Sequence, residues 1–145
     1  MTKTSTFLRI YLIISAIVFI GCNTTNSSED VNRQKIKFDF DWKFTKGDFP
    51  EASQLSFNDS KWESVDVPHD WSIAGPFLKE NPAGNVGAYA PGGIGWYRKK
   101  FTLDQSDKES KVTIEFGGVY MNSEVWINGN YLGKRPYGYI SFNYD

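Results

Sequence analysis

The chain has a single histidine, His69, and an acid and an indole follow it directly in the stretch "VPHDWSIAGPF". An imidazole beside a carboxylate invites a catalytic reading. A Ser-His-Asp triad needs its acid to orient the far ring nitrogen of the base, and neighbours in sequence are badly placed for that. No G-x-S-x-G elbow accompanies them. A plainer reading is a turn, in which Pro68 fixes φ, Asp70 accepts backbone hydrogen bonds and Trp71 packs beneath. Glycosidic chemistry asks instead for two carboxyl groups, about 5 to 9.5 Å apart depending on mechanism. Glu51, Glu63, Glu80, Glu109, Glu115 and Glu124 are present. None stands out as half of a pair, and Glu115 and Glu124 alternate with apolar strand positions, so both are expected to face solvent. "GNVGAYAPGGIG" has the glycines of a phosphate loop but neither its Lys-Ser/Thr nor a following helix. Its glycines suit sharp turns. Exposed aromatic rings could stack on the apolar C–H faces of sugars, although packing is the usual task of any one ring.

These residues need a frame, and the alternation of side chains supplies it. Ile36, Phe38, Phe40, Trp42 and Phe44 fall on every second position, with charged residues between them. Period two with one apolar face predicts a half-buried strand. "KWESVDV", "GWYRKKFTL" and "KVTIEFGGV" predict three more. "SEVWINGNYLGKR" sets Asn128-Gly129 between two apolar runs, a hairpin signal because both residues tolerate positive φ. Residues 68–95 are rich in Gly and Pro and show no sustained period. A loop of that length is usually functional or disordered, and Trp71, Phe77 and Tyr89 argue for order. No amphipathic helix or internal repeat is evident. The fold class expected is an all-β sandwich.

A chain of 145 residues allows one domain, and its 40% hydrophobic content is enough for a core. Net charge is -1 with no basic cluster, so no nucleic-acid partner is expected. One cysteine, Cys22, excludes an internal disulfide. Lys3 and Arg9 precede the apolar run "IYLIISAIVFI", and Gly21-Cys22 closes it. This is the layout of a secretory signal, short for a membrane span. The cysteine after a small residue resembles a bacterial lipoprotein signal, with Cys22 lipidated. The expected organisation is a signal peptide over 1–22, a polar tether over 23–35 and a domain over 36–145. The protein would be exported, periplasmic or attached to the outer membrane, and would touch the membrane only through the lipid. The N-x-[ST] triplets at Asn23, Asn26 and Asn58 are then accidental.

Three segments together carry a resemblance: "VPHDWSIAGPF", "GGIGWYRKKFTL" and "FGGVYMNSEVWINGNYLGKRPYGYISF". In this order and spacing they resemble the N-terminal sugar-binding domain of glycoside hydrolase family 2, in the version of β-galactosidase-like members from Bacteroides-type bacteria. The resemblance covers about residues 36–145. It implies a jelly-roll, galactose-binding-like β-sandwich, followed in whole enzymes by an immunoglobulin-like domain and a TIM barrel. The barrel carries the acid/base and nucleophile glutamates of a retaining mechanism. No catalytic residue is therefore expected in this chain, and the last sandwich strands are expected to lie beyond Asp145. The resemblance gives Asp70 a role in binding the non-reducing sugar of an oligosaccharide substrate, with His69 and Trp71 bracing its loop. A carboxylate suits that role because it accepts two hydroxyl hydrogen bonds. No metal or other cofactor is expected in this segment. A free-standing carbohydrate-binding module, or a purely structural support for the barrel, are the competing readings.

Overall fold

The computed structural model describes residues 33–145. The expected signal peptide, Cys22 and most of the expected tether lie outside the described residues. Lys37–Asp145 forms a compact unit, and residues 33–36 ahead of it are neither strand nor helix.

The described residues are all-β, with seven strands and only short 3₁₀ turns between them. Strand β1 (Trp42–Lys46) lies at the centre of a three-stranded antiparallel sheet, between β2 (Glu63–Val65) and β3 (Gly95–Arg98). Strand β4 (Ile114–Phe116) pairs with β7 (Phe142–Tyr144), and β5 (Ser123–Ile127) pairs with β6 (Asn130–Arg135). The sheets meet through aromatic contacts. Trp96 of β3 stacks on Trp126 of β5 at 5.3 Å, while within the β4–β7 pair Phe116 stacks on its register partner Phe142 at 4.9 Å. The Arg135 guanidinium of β6 lies over the Phe142 and Tyr144 rings of β7.

Strand β1 starts later than the period-two pattern predicts. Asp41 has φ of 59° and breaks the extended backbone there. Its amide instead donates to Asp66 Oδ1 at 3.0 Å, while Trp42 Nε1 donates to the Phe38 carbonyl at 2.8 Å. Phe38 still packs inward, edge-on against Trp42 and Phe101. Ile36 and Phe40 are exposed, so the alternation marked neither a continuous strand nor an unbroken buried face.

The β5–β6 hairpin turns where expected. Asn128 and Gly129 have φ of 50° and 81°, the paired positive values that match the twist of the flanking strands. Strand β7 goes beyond the strands read from the sequence, and its Phe142 is one of three buried apolar side chains among the described residues, with Phe44 and Ala52. That core is small. Phe101, Leu103, Val112, Ile114, Ile127, Leu132 and Tyr144 line an open trough of about 140 Å³.

A buried ion pair ties β3 to the segment before β2. Arg98 Nε lies 3.0 Å from Asp59 Oδ2, with both side chains at least 86% covered. Arg98 Nη1 also donates to the carbonyls of Ala52 and Gln54, and the guanidinium lies over the Phe57 ring. Burial pushes the Asp59 carboxyl up. The Arg98 hydrogen bond and the charges of Lys100 and Arg98 outweigh it and hold the group below the ordinary aspartate value.

Candidate sugar-contacting loop

The loop holding His69, Asp70 and Trp71 runs from the end of β2 and is bound to one face of β3. Alternation along β3 puts Gly95 and Tyr97 on that face and Trp96 and Arg98 on the other. His69 Nδ1 lies 2.9 Å from the Tyr97 hydroxyl, which is itself 3.4 Å from the His69 carbonyl. One proton arrangement satisfies both contacts: Nδ1–H donates to the phenol oxygen, and the phenol O–H donates to the carbonyl. The imidazole also meets the Phe44 ring edge-on at 4.8 Å, and Phe44 packs on Tyr97 at 4.7 Å. Burial, then the nearby Asp70 charge, pushes the Tyr97 phenol up to about 12, so it stays protonated.

Trp71 holds the next position. A Cβ on Gly95 would come within 2.9 Å of Trp71 Nε1 and 3.1 Å of Phe44 Cε2. Only a residue without a side chain lets the indole lie this close to β3. Lys46 Nζ covers the same indole at 4.7 Å from its centroid. His69 and Trp71 thus brace the loop as expected, and Asp70 stands between them.

Asp70 is exposed and caps the 3₁₀ turn Trp71–Ala74. Its Oδ1 accepts from Ser72 N at 2.9 Å and from Ser72 Oγ at 2.6 Å. These two bonds, the hydroxyl one first, hold the carboxyl below the ordinary aspartate value, with a smaller contribution from His69. Both Ser72 donors converge on one oxygen. Oδ2 has no hydrogen-bond partner among the described residues, and it is the acceptor left for a hydroxyl from outside. The turn reading of Asp70 is therefore correct, and a spare lone-pair face remains beside it.

Nothing triad-like forms here, since the His69 imidazole is directed to Tyr97 rather than to a carboxylate. Two shallow hollows formed by described residues lie elsewhere, one lined by Glu115, Ser141, Phe142 and Asn143, the other being the trough lined by Phe101 and Leu132. Glu115 and Glu124 are exposed as expected, and Glu124 pairs with Lys134 at 3.1 Å. Among the described residues no group of three or more His, Cys, Asp or Glu could hold a metal. Sequence reasoning missed Tyr97 and Ser72. The Asx-turn signature "DWS" contained the signal for Ser72; the contact to Tyr97 spans 28 residues and had none.

No family model matches the chain. Individual relatives do. A β-galactosidase of Bacteroides ovatus is 55% identical over 113 residues, which are 78% of this chain and 13% of that protein. A β-glucuronidase of Formosa agariphila is 36% identical over 114 residues, 78% of this chain and 12% of that protein. The solved structure of a β-glycosidase from Bacteroides vulgatus superimposes with a TM-score of 0.76 at 52% identity, over 78% of this chain and 15% of that one. A glycosyl hydrolase family 2 member from Bacteroides cellulosilyticus gives a TM-score of 0.71 at 37% identity, over 74% of this chain and 15% of that one. The chain thus spans about an eighth of the length of the curated relatives it matches. The matched part is the N-terminal β-sandwich, and the catalytic domain lies outside this chain.

Proposed function

The chain belongs to glycoside hydrolase family 2, as its N-terminal sugar-binding β-sandwich domain, and from that premise we propose that it serves a retaining, β-galactosidase-like glycosidase that removes terminal β-linked sugars. The chemistry belongs to a TIM barrel that carries both catalytic glutamates. This domain contributes the Asp70 loop to the edge of the sugar pocket. The observation that carries the reading is the division of labour at the carboxylate. Ser72 pins Oδ1 and so fixes the side chain, while Oδ2 stays free to accept a sugar hydroxyl. A preset, ionised acceptor makes a charge-assisted hydrogen bond without first losing side-chain freedom. Asp70 sits on an open surface, so the other walls of a concave pocket belong to the longer polypeptide.

The test is made in a polypeptide that joins this domain to its barrel. Asp70→Ala should lower kcat/KM for an aryl β-galactoside by about 30- to 150-fold, the loss of one hydrogen bond to a charged group of about 2–3 kcal/mol. Ser72→Ala removes one cap bond but keeps the acceptor, and should cost severalfold at most. Unchanged turnover in Asp70→Ala would leave only the cap and make the domain a structural support. The purified 145-residue chain should hydrolyse nothing, since it holds neither glutamate.

From the separate layout of Lys3 and Arg9, the apolar run and Gly21-Cys22, we also propose that the protein is an exported lipoprotein held at the membrane through Cys22. Radiolabelled palmitate should enter the protein in cells and should not enter Cys22→Ala. Equal label in both proteins, or none in either, would remove the anchor from the proposal.

A further inference from the structure

Two loops on the β4–β7 and β5–β6 side of the domain present three tyrosines to solvent. Tyr120, Tyr137 and Tyr139 are 70%, 58% and 75% exposed. Their rings form a continuous series, with Tyr120 5.5 Å from Tyr139 and Tyr137 5.7 Å from Tyr139, tilted by about 60° at each step. Side chains this large are normally covered, and a contiguous exposed group of them marks a contact surface.

The group is held in place from below. A Cβ on Gly138 would lie 2.7 Å from Tyr120 Cα, so the two loops touch backbone to backbone at that residue. Gly118 meets the Gly138 carbonyl in the same way, and Asn122 N donates to the Pro136 carbonyl at 3.3 Å. Glycine at both contacts brings Tyr120 of one loop against Tyr139 of the other. The rings are therefore presented as a preset surface that loses little freedom on binding.

The chemistry of the surface narrows the occupant. Residues 117–123 and 136–141 contain no Asp, Glu, Lys, Arg or His. An anionic or cationic ligand would find no counter-charge in these loops. What they offer is ring faces edged by phenol hydroxyls, with half-exposed Met121 and Ile140 at the margin. Ring faces match the apolar C–H face of a pyranose, and phenols match its hydroxyls. We propose that Tyr120, Tyr137 and Tyr139 form a stacking platform for a neutral β-linked oligosaccharide, separate from the Asp70 contact. The platform rests on the reading that the parent polypeptide works on glycans. It deepens that reading by giving it a site for sugar units other than the terminal one.

The test is native gel electrophoresis of the purified chain with soluble β-1,4-galactan cast in the gel. The wild-type chain should be retarded relative to a polysaccharide-free gel, with an apparent Kd that rises about tenfold in Tyr139→Ala and further in the Tyr137→Ala/Tyr139→Ala pair. Tyr139→Trp keeps a ring and should keep the retardation. Gly138→Ala separates the two loops and should weaken it without removing any aromatic side chain. Val86→Ala changes an exposed apolar side chain outside these loops and should be retarded like wild type, while turnover of the joined domain and barrel, measured separately, tests the loop reading. The proposal is overturned if the wild-type chain runs unretarded. It is equally overturned if the tyrosine variants are retarded like wild type, or if polygalacturonate retards the chain as strongly as the neutral polymer does.

Discussion

Replacing Arg98 by Met tests the most heavily connected contact in the domain. The guanidinium serves Asp59 and two backbone carbonyls at once. Methionine keeps much of the stem's volume but supplies no donor. Asp59 is then left with Lys100 at 3.7 Å, whose own side chain is largely exposed. Removing one partner of a buried pair strands the other, at a cost of about 3–5 kcal/mol. For a domain of this size that is a fall in Tm of about 12–40 °C, so urea unfolding at low temperature is the better assay. Asp59→Asn is the milder companion. The amide oxygen can still accept from Arg98 and the two carbonyl bonds remain, so the cost should be about 1.5–3 kcal/mol. The two variants should also differ from wild type in acid. Because the folded Asp59 carboxyl lies below its usual value of 3.8, its contribution is full above that pH and is lost as pH falls through the folded pKa. Asp59→Asn has no such group, so its stability difference from wild type should shrink as pH falls below about 4. An Arg98→Met cost under about 1 kcal/mol, or an Asp59→Asn difference that stays constant down to pH 2, would refute the account of this pair.

Gly95→Ala puts a methyl group against Trp71 and Phe44, and should lower stability by about 1–3 kcal/mol and increase the solvent exposure of Trp71, read by iodide quenching of its fluorescence. Tyr97, pushed up to about 12, should appear in a 295 nm absorbance titration as a late-ionising phenol that disappears in Tyr97→Phe. Its raised value means that its contribution to stability is complete below about pH 10 and is lost as pH climbs toward 12. Gly129→Val forces a β-branched side chain into φ of 81° and should cost more than about 1 kcal/mol by urea unfolding, with the loss confined to the β5–β6 hairpin in hydrogen exchange.

Much of this architecture could be read locally. Asn128-Gly129 specified its hairpin because the turn's backbone demands positive φ at both positions, and few residue pairs accept that. The strand at "GWYR" and the absence of helices in the described residues followed from side-chain period alone. The start of β1 could not be read this way, because period two is blind to Asp41 turning the backbone aside, which leaves Ile36 and Phe40 ahead of it exposed. Strand β7 is three residues long, too short for alternation to stand out, yet it supplies Phe142 to the core. Asp59 looked like one more loop acid in "NDSK", and only the fold brings Arg98, 39 residues away, against it. At the candidate site the residues alone suggested a turn, and the family resemblance singled out Asp70 and its two braces. It did not reveal that Ser72 would hold one carboxylate oxygen and leave the other.

Strand β3 meets two different constituencies across its thickness. Gly95 and Tyr97 receive the Asp70 loop on one side, while Trp96 and Arg98 receive Trp126 and Asp59 on the other. A slip of one residue against β1 would exchange these faces and lose both sets of contacts together. The loop's attachment is therefore inherited from the folding of the sandwich and needs no separate upkeep. Beyond its two anchors, the stretch from Ile73 to Gly93 is bonded to itself, with Asn81 Nδ2 donating to the carbonyls of Pro76 and Tyr89. Changes confined to that stretch therefore leave the seating of His69 and Trp71 on the strand as it is.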